Sequence, residues 1–304
     1  MGIVLAGSLT GAWLFCHNSA DNLYISAGMP ILGLGLLLAG VGLWDDIRPL
    51  SARIRAGTQL LTCLGALIAT DTLSFASNHF SSTSFHLLTQ TSGVGELIAF
   101  ALLLLAAVWW INLFNFMDGI DGLAGTQALF MFLAAGGLSA WMHPEIIANP
   151  IWQWGAAITG ATLVFTLLNW APASIFMGDV GSTWLAFIIF SLALLSTQAG
   201  WATYPMWLIL AAAFITDATT TLFTRIIQGE RWHTAHRSHV YQKLARRWQS
   251  HQTATLLVIA INLLWLLPLA TACLFWPAWN LVWLSCAYLP LIIGALKLDA
   301  GKTW

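Results

Sequence analysis

The chain has 304 residues, of which 59% are hydrophobic and only 8% are charged. Soluble domains carry about 25% charged residues, so this composition excludes an ordinary soluble enzyme and predicts a single all-α polytopic membrane domain over residues 1–304. The formal net charge of −1 provides no overall positive field, so nucleic acid is not an expected partner.

Continuous apolar runs predict about ten transmembrane helices, because a helix needs roughly 17–25 apolar residues to cross a bilayer. The predicted spans, in chain order, are 2–17, 25–44, 57–73, 95–114, 122–142, 151–168, 182–199, 201–224, 253–274 and 277–297. The division near residues 195–205 stays open, since one long helix or two short helices fit this part of the sequence.

The basic residues predict the orientation of these helices. If the chain starts in the cytoplasm, all eleven Lys and Arg residues fall on the cytoplasmic side, and the opposite connections carry none. Short cytoplasmic loops of membrane proteins are rich in Lys and Arg. The pattern therefore predicts a multi-pass protein with both termini in the cytoplasm.

Acidic and amide side chains gather in the same cytoplasmic connections. They are Asp45 and Asp46 after the second span, Asn112, Asn115, Asp118 and Asp121 at the end of the fourth, and Asn169 and Asp179 after the sixth. The residues of the second group recur at every third position, which on an α-helix drifts by about 60° per step. A loop permitted by Gly119 and Gly122 would align them. Each group alone also fits a helix cap or a solvated helix end, but their convergence favours a site.

The roles of Asp179 and of a further acid, Asp217, stay open. Asp179 follows Gly178 in a glycine-flanked turn, where backbone amides can approach an anion. Asp217 lies inside an apolar span, and acids in membranes are usually either paired or functional. Arg225, about two helical turns later, is the expected partner of Asp217 if its role is structural.

A basic arm at about 225–251 contains six Arg or Lys residues and four His. His236, Arg237 and His239 are close enough in sequence to contact one phosphate, and His exchanges a proton near neutral pH. Binding to anionic lipid head groups is the alternative role of such an arm. The His spacing does not match a zinc motif.

Carboxylates on a water-accessible face suit Mg²⁺, which takes one or two carboxylates and completes its shell with water and substrate phosphate. Arg and His beside them suit a diphosphate. The set predicts metal-assisted phosphoryl transfer, and its place at the membrane predicts that one substrate is a lipid.

The ordered segments "DD" (45–46), "NLFNFMDGIDGLAG" (112–125), "NWAPASIFMGDVGSTWLAF" (169–187) and "HRSHVYQKL" (236–244) resemble the bacterial polyprenyl-phosphate N-acetylhexosamine-1-phosphate transferases. These enzymes belong to glycosyltransferase family 4, with the phospho-MurNAc-pentapeptide translocase. The resemblance runs from about residue 1 to 297. It implies transfer of a sugar-1-phosphate from a UDP-N-acetylhexosamine to undecaprenyl phosphate at the bacterial inner membrane, with release of UMP. Mg²⁺, or Mn²⁺ as a substitute, is the implied cofactor, membrane lipid is an implied contact, and a homodimer is compatible with the family.

The resemblance also implies roles for individual residues. Asp45, Asp46 and Asp179 are implied as catalytic and magnesium-binding residues, the first two engaging or deprotonating the lipid phosphate, with Asp118 as a further metal ligand. His239 is the implied catalytic residue that contacts the diphosphate. The implied substrate-binding residues are Asn112, Asn115, Asp118, Asp121, Asn169, His236 and Arg237.

Two departures from the family pattern affect these expectations. Many members read D-R-x-H-I-H-H, whereas residues 236–242 read H-R-S-H-V-Y-Q, so Tyr241 and Gln242 replace two histidines. This resembles the branch that initiates lipopolysaccharide O-antigen synthesis, which includes enzymes for 6-deoxy N-acetylated sugars. Members also usually begin with a further helix and an RGGG-like loop, so we expect either a shorter enzyme or a start upstream.

Two other functions remain alternatives. A CDP-alcohol phosphatidyltransferase uses a D-x-x-D-G motif, which residues 118–122 imitate, but Gly125 stands where that motif has Arg. A transporter of an anionic solute would predict polar residues at mid-membrane and an internal repeat, neither of which dominates this sequence. Direct attack by the lipid phosphate is preferred to a covalent phospho-aspartate, because no residue stands out as a dedicated nucleophile.

Overall fold

The computed structural model describes residues 1–17, 26–72, 94–230 and 237–302. Every regular element within these ranges is a helix, and none of the described residues forms a β-strand. This confirms the predicted all-α class.

The helices are α1 (Gly2–His17), α2 (Gly28–Ile47), α3 (Ala52–Ala69), α4 (Val94–Phe116), α5 (Leu123–Met142), α6 (Pro150–Asn169), α7 (Gly178–Gln198), α8 (Tyr204–Leu210), α9 (Ala212–Ile227), α10 (Val240–Trp248), α11 (His251–Ile261), α12 (Leu267–Phe275) and α13 (Asn280–Lys297). Short 3-10 segments cover Pro144–Ala148 and Pro277–Trp279, and a π-helical segment, Asn262–Leu266, joins α11 to α12.

Seven helical stretches of the described chain are long and apolar enough to cross a membrane, or eight if the bent pair α8–α9 is one span. The other two predicted spans are also helical. However, α1 has only 16 residues and α3 carries Arg53 and Arg55 in its first turn. The structure therefore confirms a polytopic membrane protein, whereas the number of ten spans stays a prediction.

The helices that bear polar first turns begin earlier than predicted. Helix α3 begins at Ala52 instead of residue 57, and Ser51 caps it by accepting a hydrogen bond from the Ile54 N–H at 3.4 Å. Helix α7 begins at Gly178 instead of residue 182. Apolar periodicity does not reveal a first turn that faces polar groups, so the predicted spans omitted both turns.

The predicted span 201–224 is broken at Ala211, where α8 and α9 meet at an angle of 70°. The side-chain amide of Gln127 donates to the Leu210 carbonyl at 2.9 Å, and the Asn262 amide donates to Gln127 at 2.7 Å. A buried carbonyl at a helix break needs such a donor, because no water reaches it within a membrane.

Helices α2 and α7 approach each other closely through small residues. An added Cβ at Gly42 would lie 2.8 Å from the Asp179 carbonyl oxygen and 2.8 Å from the Val180 Cα. Further along α7, the Trp184 ring fills the space beside Gly7 and Gly35. Since α7 is mostly buried and α2 runs along it, this contact decides where the polar ends of both helices meet.

We expect Gly42→Ala to destabilise the protein, because the new methyl group must push α2 away from the α7 backbone, and overpacking typically costs about 1–3 kcal/mol. Gly40→Ala is the matched control, since nothing lies within 4 Å of a Cβ there. The control should gain about 0.5–1 kcal/mol from helix propensity. The measurement is the midpoint of thermal unfolding in detergent, and equal midpoints for both variants would contradict the close contact.

Candidate active site

Carboxylates from α2 and α7 meet at one end of the helix bundle. The Arg55 Nη1 donates to Asp45 Oδ2 at 3.0 Å and lies 3.6 Å from Asp179 Oδ2. The Leu50 N–H donates to the other Asp45 oxygen at 2.5 Å. One guanidinium group, itself 45% exposed, therefore bridges two like-charged groups.

Asp46 holds the beginning of α7. Its two carboxylate oxygens accept hydrogen bonds from the Asp179 N–H at 2.9 Å and the Val180 N–H at 3.2 Å. Gly178 has a φ of 66°, and a Cβ there would lie 2.6 Å from Asp46 Oδ2. The predicted anion-binding turn is thus the first turn of α7, and the anion that its amides contact is Asp46.

The polar end of α4 reaches this cluster through Asn115. Its side-chain amide donates to Asp179 Oδ1 at 3.2 Å, and its carbonyl oxygen accepts from the Ser182 hydroxyl at 3.2 Å. The same hydroxyl lies 2.9 Å from the Gly178 carbonyl oxygen, so its single proton is shared between these two acceptors. These bonds orient the Asp179 side chain from the α4 side.

Asp118 lies in the connection between α4 and α5, where α4 has ended at Phe116 and Gly122 takes a φ of 76°. The loop that the sequence required here is therefore present. Desolvation, with a smaller contribution from the negative charges of Asp179 and Asp46, raises the pKa of Asp118 to about 8. Asp118 therefore interacts electrostatically with the cluster, in which the described residues include four carboxyl groups and the guanidinium group of Arg55.

Asn112 points along the bundle to α3. Its amide donates to the Gln59 side chain at 2.6 Å and to the Val108 carbonyl at 2.8 Å. The structure thus gives Asn112 a contact between helices, and its role in binding substrate stays a prediction.

Asp121 and Asn169 tie neighbouring connections together. Asp121 Oδ2 accepts from the Ala173 N–H at 3.2 Å and lies 3.4 Å from His251 Nδ1. Asn169 Oδ1 accepts from the Gly122 N–H at 2.9 Å. Both residues join the α4–α5 connection to the α6–α7 connection, and their contact with substrate also stays a prediction.

His239 begins the arm helix α10 and is nearly buried, with its side chain 4% exposed. Its Nδ1 lies 3.2 Å from Asp217 Oδ1. The same carboxylate accepts from the Val240 and Tyr241 N–H groups, each at 3.0 Å. Asp217 therefore orients the His239 ring and caps the beginning of α10.

The expected pairing of Asp217 with Arg225 is wrong, because His239 takes that place. Arg225 instead forms an ion pair with Glu230 at 2.6 Å. Arg237 is exposed, and its carbonyl accepts from Arg246 at 2.6 Å. His236, the remaining predicted substrate contact in the arm, lies outside the described residues.

The donor set is compatible with Mg²⁺. Among the described residues, no three His, Cys, Asp or Glu side chains converge as a metal-binding group. Mg²⁺ seldom uses such a cage and usually takes one or two carboxylates together with water and phosphate. Asp45 and Asp179 offer that pair, and the Arg55 guanidinium group already lies between them as a cation.

The sequence reasoning missed two residues of this region and the partner of a third. Arg55 and Gln59 are four residues apart on α3, so they share the helix face that meets Asp45, Asp179 and Asn112. This spacing was a usable signal. Nothing in the sequence near Asp217 indicated that His239 would be its partner.

The sequence pattern of glycosyl transferase family 4 matches residues 29–197. A probable undecaprenyl-phosphate N-acetylglucosaminyl 1-phosphate transferase of Bacillus subtilis (strain 168) is 26% identical over 252 residues, covering 80% of this chain and 65% of the relative. An undecaprenyl-phosphate alpha-N-acetylglucosaminyl 1-phosphate transferase of Salmonella typhi is 31% identical over 250 residues, covering 78% and 64%.

A phospho-N-acetylmuramoyl-pentapeptide-transferase of Rhodococcus jostii (strain RHA1) is 28% identical over 249 residues, covering 72% of this chain and 67% of the relative. The chain thus spans a little less than two thirds of the length of the first two relatives. The family match covers more than half of the 304 residues and includes the whole carboxylate cluster from Asp45 to Asp179. The chain therefore belongs to glycosyl transferase family 4, as the motifs predicted.

Proposed function

We propose that this protein transfers N-acetylhexosamine-1-phosphate from a UDP-sugar to undecaprenyl phosphate and releases UMP. The observation that carries the proposal is the convergence of Asp45, Asp46, Asp118 and Asp179 at one end of the bundle, with Arg55 bridging two of them. The relatives whose names specify sugar-1-phosphate transfer to this lipid phosphate support the same reaction.

The proposed step is a direct displacement at phosphorus. An oxygen of the lipid phosphate forms a bond to the β-phosphorus of the UDP-sugar, and the bond from that phosphorus to the bridging oxygen breaks. UMP leaves with the bridging oxygen and its electron pair, and the product is a lipid-linked sugar diphosphate. No proton needs to move if the lipid phosphate is fully ionised, and a carboxylate of the Asp45–Asp46 pair accepts its proton if it is not.

The residues present would hold Mg²⁺ through Asp45 and Asp179, with Asp46 and Asp118 contributing negative charge and further ligand atoms. Bound there, the ion would neutralise part of the charge of the diphosphate. Asn115 keeps the Asp179 carboxylate in position, and Arg55 is close enough to turn from the carboxylates to a substrate phosphate. His239 is proposed to contact the diphosphate through Nε2, because Asp217 engages Nδ1.

The finer parts of the proposal concern location and pathway. We place the protein in the bacterial inner membrane with both termini in the cytoplasm, and we propose a role in initiating O-antigen or another envelope polysaccharide. The sugar is an N-acetylhexosamine, including 6-deoxy forms. Membership of the family favours this reaction over both a CDP-alcohol phosphatidyltransferase and an anion transporter.

The direct experiment uses purified protein in detergent, undecaprenyl phosphate and a panel of UDP-N-acetylhexosamines. We expect UMP release that requires both the lipid and Mg²⁺, that Mn²⁺ supports, and that a chelator stops. The donor with the highest kcat/KM identifies the sugar. Absence of release from every donor, in the presence of either metal, would contradict the proposed function.

Asp179→Asn should lower kcat by at least ~10²-fold, because the amide keeps the shape but removes the charge that the diphosphate-bound cation needs. Glu145→Gln makes the same chemical change at an exposed carboxylate in the segment Pro144–Ala148 and should leave the rate unchanged. Rates and unfolding midpoints are measured for both variants. An Asp179→Asn rate within a few-fold of the unmodified protein would remove Asp179 as a metal ligand.

His239→Ala should also cost ~10²-fold, the usual loss for one acid–base or electrostatic group. Asp217→Asn should cost less alone, and it should add little in the double variant because both changes affect one ring. The measurement is a double-mutant cycle in kcat/KM, with His143→Ala as the control at a half-exposed histidine. Additive losses would show that Asp217 does not act through His239.

A further inference from the structure

A short turn after α13 packs against the arm just before α10. The Gly301 N–H donates to the Ser238 carbonyl at 3.0 Å, and Ser238 is the residue before His239. Ser238 is 4% exposed and Ala300 only 1%, so this contact is buried. Residues 298–302 are here named the C-terminal turn. This turn therefore packs against the arm at Ser238, just before α10.

A second contact links the same turn to the arm helix. The Lys243 ammonium group on α10 donates to the Asp299 carbonyl at 2.5 Å, and Lys243 is only 4% exposed. Burial lowers the pKa of Lys243. The Asp299 carboxylate pairs with Lys302 at 2.6 Å within the turn. A buried lysine is costly unless a partner satisfies it, so the Asp299 carbonyl accounts for the burial of Lys243.

The third contact is between the turn and α9. Gly301 has a φ of 81°, and an added Cβ would lie 2.5 Å from the Thr221 carbonyl oxygen and 2.7 Å from the Thr224 Cβ. The turn thus lies on the same helix that supplies Asp217. Thr221 itself donates to Asp217 at 3.2 Å, which places the turn beside the pair that orients His239.

We propose that the C-terminal turn is a positioning element that holds Ser238 and α10 on α9, so that His239 stays paired with Asp217. The turn contacts no substrate and acts through the arm. Its link to the reaction rests on the proposed function, whereas its link to the position of the arm does not. A displacement of a reacting group by about 1 Å can cost ~10²-fold in rate, so a loosened arm should be visible in kinetics.

The test compares Gly301→Ala with Gly200→Ala. Both positions have a positive φ, 81° and 76°, so both substitutions carry the same backbone strain, but nothing lies within 4 Å of a Cβ at Gly200. The first readout is hydrogen–deuterium exchange of the whole protein in detergent, which needs no substrate. We expect peptides covering residues 237–248 to exchange at least about fivefold faster in Gly301→Ala and unchanged in Gly200→Ala.

The second readout is kcat/KM for UMP release, which we expect to fall at least about tenfold for Gly301→Ala and less than twofold for Gly200→Ala. Faster arm exchange together with this loss supports the proposal. Unchanged exchange at 237–248 overturns it, and so does faster exchange with full activity. If the unmodified protein releases no UMP, the proposed function fails, and the exchange experiment still decides whether the turn holds the arm.

Lys243→Met provides an independent variant that introduces no steric clash. It fills most of the buried site with an unbranched side chain that is one atom shorter, and it removes the ammonium group that donates to Asp299. We expect the same increase in exchange over residues 237–248, smaller than that of Gly301→Ala because the Gly301–Ser238 hydrogen bond remains. If Gly301→Ala does not fold, the proposal is overturned when residues 237–248 of Lys243→Met exchange no faster than those of the unmodified protein.

Discussion

Asp46 accepts hydrogen bonds from the backbone amides of Asp179 and Val180, and the geometry of the carboxylate cluster depends on this contact. It is possible only because Gly42 lets α2 approach the α7 backbone and Gly178 leaves room for the carboxylate. The free amides at a helix N-terminus and the partial positive charge there stabilise an anion. The same contact places Asp45 and Asp179 side by side.

That arrangement brings carboxyl groups close together, and Arg55 offsets their mutual repulsion only in part. Asp45, Asp179 and Asp118 bring three carboxyl groups to one cluster, and one exposed guanidinium group faces two of them. Desolvation is the largest cause of the raised pKa of Asp118, and repulsion from the negative charges of Asp179 and Asp46 adds to it. A divalent cation would remove the repulsion, and an incoming diphosphate would then meet a neutral or positive site. The proposed metal ion and diphosphate would therefore complete a charge balance that Arg55 provides in part.

The sequence predicted the features that local pattern determines. Apolar runs located the helices, and the polar residues at their ends identified Asp45, Asp118 and Asp179 as neighbours before any contact was known. Contacts between distant residues escaped prediction. The break at Ala211 depends on Gln127 reaching the Leu210 carbonyl, a separation of 83 residues. Helical spacing favoured Arg225 as the partner of Asp217, but the chain returns His239 to it from 22 residues away.

The arm also explains how residues outside the cluster affect it. The Tyr241 hydroxyl donates to the Phe116 carbonyl at 2.8 Å, where α4 ends and the connection with Asp118 begins. The Tyr241 hydroxyl packs directly against Gly119, and a Cβ at position 119 would collide with it. Because Asp217 binds the Tyr241 N–H as well, α9, α10 and the end of α4 form one connected unit. The side chain at position 241, where many family members have His, therefore contacts the backbone from which the connection with Asp118 begins.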